Sequence, residues 1–95
     1  MHSPELIEFI NKHKLFWWYV PEDKLNNLSL ESIVEATLNY GNLQDISTLF
    51  RILGEEKVAD IFFEKISRQR HNFFPRTKHF FELYFKRHVP KYSDR

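Results

Sequence analysis

Ser29-Leu30-Glu31-Ser32-Ile33-Val34-Glu35-Ala36-Thr37-Leu38-Asn39-Tyr40-Gly41-Asn42 decides the fold of this 95-residue chain. Leu30, Ile33, Val34, Thr37 and Leu38 recur at i, i+3, i+4, i+7 and i+8, the spacing that lines one face of an α-helix. Ser29 is placed to cap the first turn. Gly41 is expected to stop the helix in the left-handed conformation, which glycine takes without a side-chain penalty. Asn42 can then cap another helix at once.

Working outward, Ile46, Leu49, Phe50 and Leu53 form the stripe of that next helix, with Gly54 as its stop. A fourth helix follows almost without a linker and carries Val58, Ile61, Phe62 and Ile66 on one face. Towards the N-terminus, Ser3-Pro4-Glu5 supplies a cap, a proline suited to the first helical position and a favourable carboxylate. Leu6, Phe9 and Ile10 extend this first helix to about Lys14. Pro21 biases Val20 towards extended geometry, so residues 15–28 read as a packed aromatic connector with a helical turn at Glu22 to Leu25. Pro75 fits the start of a fifth helix bearing Phe80, Phe81, Tyr84 and Phe85, and Pro90 closes it.

The expected fold is therefore all-α, a single compact domain of about five short helices with a helix-turn-helix-like pair at the centre. Its parts are a first helix over 1–14, the connector over 15–28, a helical core over 29–89 and a frayed tail over 90–95. A domain of this size buries only roughly 60 to 65% of the surface its unfolded chain exposes. Ten Phe, four Tyr and two Trp must supply the packing density, because the absence of cysteine removes disulfides and thiolate metal sites. That absence fits a reducing compartment, and Met1 to Glu5 lacks the basic segment and apolar core of a secretory signal. No apolar run approaches the roughly 20 residues of a membrane span. The expectation is a cytoplasmic protein with no membrane partner.

The net charge of +1 hides a division. Residues 1–66 hold six Lys/Arg against eleven Asp/Glu, whereas residues 67–95 hold eight against two. A basic end would attract an acidic protein or a phosphate backbone. The alternative is a terminal helix that pairs internally with the acidic part.

Two groups of residues stand out as candidate sites. Phe16, Trp17, Trp18 and Tyr19 lie in an apolar run too large to hide behind one short helix, and adjacent indoles cannot both face the same core. Tryptophan is enriched in interface hot spots, so these four are candidate partner-binding residues. The alternative puts Trp17 in the core and has Trp18 close a groove between the first and last helices. Arg68, Arg70, Arg76, Lys78, Lys86 and Arg87 lie among aromatics and are candidates for contact with nucleic acid or an acidic surface, where an exposed ring could stack on a base.

Other chemistry finds little footing. His2, His13, His71, His79 and His88 show no i, i+4 pairing, so no metal or other cofactor is expected. There is no Gly-rich phosphate loop and no serine in a tight Gly-flanked turn. Glu55 and Glu56 point in different directions on a helix and favour its N-terminus instead. No enzyme activity is expected. Reading of the major groove by the fourth helix is disfavoured, because Glu55, Glu56 and Asp60 near its start outweigh Lys57 and would repel phosphates.

From Leu15 onward the sequence resembles a small helical family of bacterial proteins, mostly without assigned activity, often encoded beside abortive-infection nucleotidyltransferase toxins. The resemblance is carried by Leu15-Phe16-Trp17 before an acidic turn and Lys24-Leu25, and by Ile33 to Gly41 with its Leu38-Asn39-Tyr40-Gly41-Asn42 ending. Leu49 to Val58 with Leu53-Gly54-Glu55-Glu56, and Ser67-Arg68 followed by Thr77 to Phe85, complete it. The chain departs from the family at Trp18-Tyr19, where an acidic residue is common, and at Asn72-Phe73-Phe74-Pro75, where the family has an aliphatic or short polar stretch. The resemblance implies an antitoxin-like or accessory role in which a small helical protein binds a toxin partner and its own operator.

The leading expectation is an interaction module that covers a partner protein through the aromatic surface and the basic last helix. A DNA- or RNA-binding regulator and a structural homodimerisation unit are the alternatives.

Overall fold

Caps fix where the helices begin, and the computed structural model describes residues 2–68 and 71–92. Helix α1 (Pro4–Lys12) starts at Ser3, whose hydroxyl accepts from the Leu6 amide. Helix α2 (Leu30–Tyr40) starts at Ser29, which accepts from the Ser32 amide in the same way. Helix α3 (Leu43–Leu53) opens on a reciprocal box: the Asn42 side chain accepts from the Asp45 amide and the Asp45 carboxylate accepts from the Asn42 amide. Each cap satisfies amides that the first turn leaves unpaired. Helix α4 (Glu55–Ser67) follows Gly54 directly, and α5 (Pro75–His88) begins on its proline. Among the described residues no strand forms.

Among the described residues, two 3-10 helices lie between α1 and α2 and a third follows α5. One, Lys14–Trp17, shortens the first helix relative to expectation: α1 stops at Lys12 because His13 leaves the helical region and the chain tightens behind it. The expected turn at Glu22 runs on to Asn27. The third corrects the expected frayed tail, since Pro90–Tyr92 is a 3-10 helix with Tyr92 buried. Its ring lies 4.4 Å from that of Phe63, and its hydroxyl donates to Asp60. Residues 93–95, also expected to fray, lie outside the described residues.

A positive φ, expected at Gly41, is found at Gly54 instead. Gly41 is extended (φ −76°, ψ 156°), not left-handed; it is needed because a Cβ there would come within 2.7 Å of the Thr37 carbonyl oxygen. Gly54 takes the positive φ, +92°, with nothing near the position of a Cβ.

Helix α4 lies at the centre, packed on α2, α3 and α5. Phe62 is fully buried there, and the rings of Phe63, Phe73, Phe81 and Phe85 surround it at 5.0–6.3 Å. Ile33, Val34, Leu49 and Val58 belong to the same core, which continues through Leu6, Phe9 and Ile10 of α1 to Trp17 and Leu25. The segment before α5 is held by polar groups of α2. Glu35 accepts from the Asn72 amide at 2.6 Å, and Asn39 both donates to the Asn72 carbonyl and accepts from the Phe74 amide. Lys65 lies 3.6 Å from Glu35, with both side chains largely buried.

Candidate partner-binding surfaces

A 3-10 helix turns about 120° per residue, so the side chain after a buried one is carried outwards. Trp17 is 1% exposed and Trp18 is 80% exposed. Trp17 packs in the core, where its indole N–H donates to the Ser32 carbonyl at 3.4 Å. Its assignment to the partner surface is therefore corrected: a ring closed on all sides by α2 and the connector has nothing left to offer a partner. Phe16 is half-buried, stacked on His13 at 4.9 Å and edge-on to Trp17 at 5.6 Å. The alternative that Trp18 closes a groove between the first and last helices is also overturned by its exposure.

Trp18 and Tyr19 remain outside as a T-shaped pair with centroids 5.8 Å apart, joined by exposed Leu15. Their backbone is held on both sides. The Val20 amide donates to the Trp17 carbonyl at 2.9 Å, and Lys14 pairs with Glu22 across the loop at 2.5 Å. Leu15, Trp18, Val20 and Leu25 line a depression of about 270 Å³ beside this pair.

A second apolar surface lies between α3 and α5. The helices meet where Phe50 stacks on Tyr84 at 6.0 Å and tilts against Phe85 at 5.9 Å. Beside that meeting point runs a groove of about 380 Å³, walled by Leu43, Ile46 and Phe50 on one side and Thr77, Phe80 and Tyr84 on the other. Phe80 is 52% exposed at its rim, whereas Phe81 and Phe85 are buried and Tyr84 is half-buried. At the groove's end the Tyr84 hydroxyl donates to Glu55 at 2.8 Å. Burial, reinforced by that carboxylate, pushes the phenol up to about 12.

The basic candidates do not gather in one place. Arg68 caps α4, reaching Glu64 on its own helix and Glu31 of α2 at 3.7 Å. Lys78 pairs with Glu82 one turn along α5 at 3.1 Å. Lys91, outside the candidate set, reaches Asp60 at 3.1 Å. Tyr92 chiefly, with help from Lys91, holds the Asp60 carboxyl below its ordinary range. Internal pairing with the acidic part thus accounts for Arg68 and Lys91. Arg76, Lys86 and Arg87 have no ionic partner among the described residues, and Arg70 lies outside them.

Comparisons with protein-family models, curated proteins and solved structures find no match to this chain. Its surfaces must speak for themselves. On α4 the buried Val58, Ala59 and Phe62 face the core, which leaves Glu56, Lys57 and Glu64 towards solvent. Two carboxylates against one ammonium make that face a poor match for phosphate. No group of three or more His, Asp or Glu side chains able to hold a metal ion lies among the described residues, and no described helix is long and apolar enough to cross a membrane.

The clamp of Glu35 and Asn39, and the groove residues Leu43 and Ile46, are absent from the sequence-based candidates. Leu43 carries a usable signal. Three residues before Ile46, it widens the apolar arc of α3 beyond what one neighbouring helix covers.

Proposed function

We propose that this domain is a non-enzymatic interaction module that holds a partner protein with Trp18 as its anchor. The observation that carries this reading is an indole 80% exposed on a backbone fixed by the buried ring beside it. An exposed tryptophan on a held backbone loses little conformational freedom on binding, and enclosing aromatic surface of about 200 Å² is the largest gain one side chain can bring to an interface. The likeness of Leu15-Phe16-Trp17 and Leu38-Asn39-Tyr40-Gly41-Asn42 to a family encoded beside nucleotidyltransferase toxins supports an antitoxin-like or accessory role, with such a toxin as the partner.

The test is co-expression with the product of the neighbouring reading frame, followed by titration calorimetry on the wild type and Trp18→Ala. The variant should melt within about 4 °C of the wild type, since exposed substitutions change stability by about 0.5 kcal/mol or less. Its affinity should fall at least about tenfold, corresponding to about 1.4 kcal/mol. Binding within about threefold of wild type removes Trp18 as the anchor.

Direct nucleic-acid binding is the second reading, favoured by Arg76 and Arg87 lying to either side of exposed Phe80 on α5. With Lys86 included, three phosphate contacts would give a slope of about −2.7 in log affinity against log salt. Electrophoretic retardation at low salt tests it, and absence of any retardation removes it.

A further inference from the structure

We infer that the groove between α3 and α5 seats one amphipathic helix of a partner protein, apolar on its buried face and carrying carboxylates about three turns apart that meet Arg76 and Arg87. This rests on the interaction-module reading and adds the chemistry of what is bound.

The argument begins with spacing. Arg76, Phe80, Leu83 and Arg87 stand at i, i+4, i+7 and i+11 of α5, which places them on one helical face. All four are exposed. Each apolar member is more than half exposed, and neither arginine has an ionic partner among the described residues. A solvated helix face would ordinarily carry charges where Phe80 and Leu83 stand. The face is instead greasy in the middle and cationic at both ends, over about 16 Å at 1.5 Å per residue.

Arg76 and Phe80 of this face line the groove itself, while Leu83 and Arg87 continue it round the outer side of α5, outside the groove lining. The opposite wall is apolar as well. Leu43 at the start of α3 is 81% exposed, and it continues through Ile46 to Phe50 on the groove side. Arg76 is the one charged residue lining the groove, with no carboxylate beside it. An anionic group entering there would meet an unopposed guanidinium at the edge of an apolar trough, where the lower dielectric strengthens the pairing.

The form of the occupant follows from the walls. Both are helices whose interior amides and carbonyls bond within the helix, so the groove offers no sheet edge for an extended strand. Two helices with a trough between them accept a third by the ridges-into-grooves packing that holds helices together elsewhere. Acidic residues eleven apart on the incoming helix would span the two arginines.

Two capped synthetic peptides of about 18 residues test this. Both carry leucines along one face; one has glutamates eleven residues apart at its edge, and the other has lysines at those positions. Nitrogen-15 spectra of the full chain should shift at Leu43–Phe50 and Arg76–Arg87 with the acidic peptide, while the Trp18 indole signal stays in place. The acidic peptide should bind at least about tenfold more tightly than the basic one, and Arg76→Glu should reverse that order. Equal binding of both peptides, or shifts confined to residues 15–19, overturns the groove assignment. So does a single-stranded oligonucleotide that shifts the α5 signals when the acidic peptide does not, or self-association that shifts the groove signals without any peptide. If Trp18→Ala abolishes partner binding while the groove stays silent, the groove proposal fails and the module reading stands. If the groove takes the peptide but Trp18→Ala leaves the partner bound, it is the Trp18 anchor that fails.

Discussion

At the scale of single residues, the glycines show how one residue type serves two physical ends. A methyl at position 41 would press on the Thr37 carbonyl oxygen at 2.7 Å and on the Asp45 Cβ at 3.1 Å, so Gly41→Ala must push two helices apart. Gly54→Ala meets no neighbour but forces a positive φ on a side chain that rarely adopts it. Each is expected to cost about 1 to 3 kcal/mol, read as a lower urea midpoint. The sequence marks both positions as helix ends, yet glycine is equally at home in a tight approach and in a positive φ, and only coordinates separate them.

Ionisable residues give a pH signature at the same scale. The Tyr84 phenol, raised to about 12 from 10.0, keeps its proton in the folded chain after the unfolded chain has lost it. Burial of the neutral phenol, reinforced by its hydrogen bond to Glu55, therefore favours the fold fully below pH 10.0 and progressively less as pH rises towards 12. Tyr84→Phe should flatten that alkaline loss in denaturation curves recorded across this range. Asp60 acts in the opposite direction. Its depressed value means that its contribution is present above the ordinary 3.8 and is lost as acid protonates it in the folded chain. Asp60→Asn should remove this part of the acid sensitivity.

At the scale of elements, the short connection into α5 is fixed by side chains rather than by its own composition. Asn39→Ala would leave the Phe74 amide and the Asn72 carbonyl without their partner, at an expected cost of about 1 to 3 kcal/mol. Hydrogen exchange should quicken at Phe74. Helices α2 and α3 are the most legible elements, because Ser29, Asn42 and Gly54 mark their boundaries chemically and their stripes keep one period. The 3-10 helices are less legible, since their tighter turn comes from packing around Trp17 and Leu25. Phe80 shows the same limit. Periodicity groups it with Phe81, Tyr84 and Phe85, but it cannot say how much of that arc the neighbouring helices cover.

At the scale of the whole molecule, the charge division is only partly resolved within the chain. Arg68 and Lys91 bind carboxylates of the acidic region, Lys78 turns to its own helix, Arg76 and Arg87 are exposed, and Lys86 is half-buried with no ionic partner among the described residues. Composition reveals the imbalance but not which cations are spent, because pairing depends on which helix ends meet. The aromatic run is divided likewise, with one indole consumed by folding and its neighbour displayed. Both surfaces arise in the same way: the chain has more large apolar side chains than a domain of this size can enclose.

The 3-10 helix after α5 has a practical consequence. Tyr92 behaves as a plug seated over Phe63, so ending the chain at Val89 would uncover that ring and release Asp60 together. Such a shortened protein should bind a hydrophobic dye and melt early, whereas a fusion joined beyond Tyr92 leaves the seal intact.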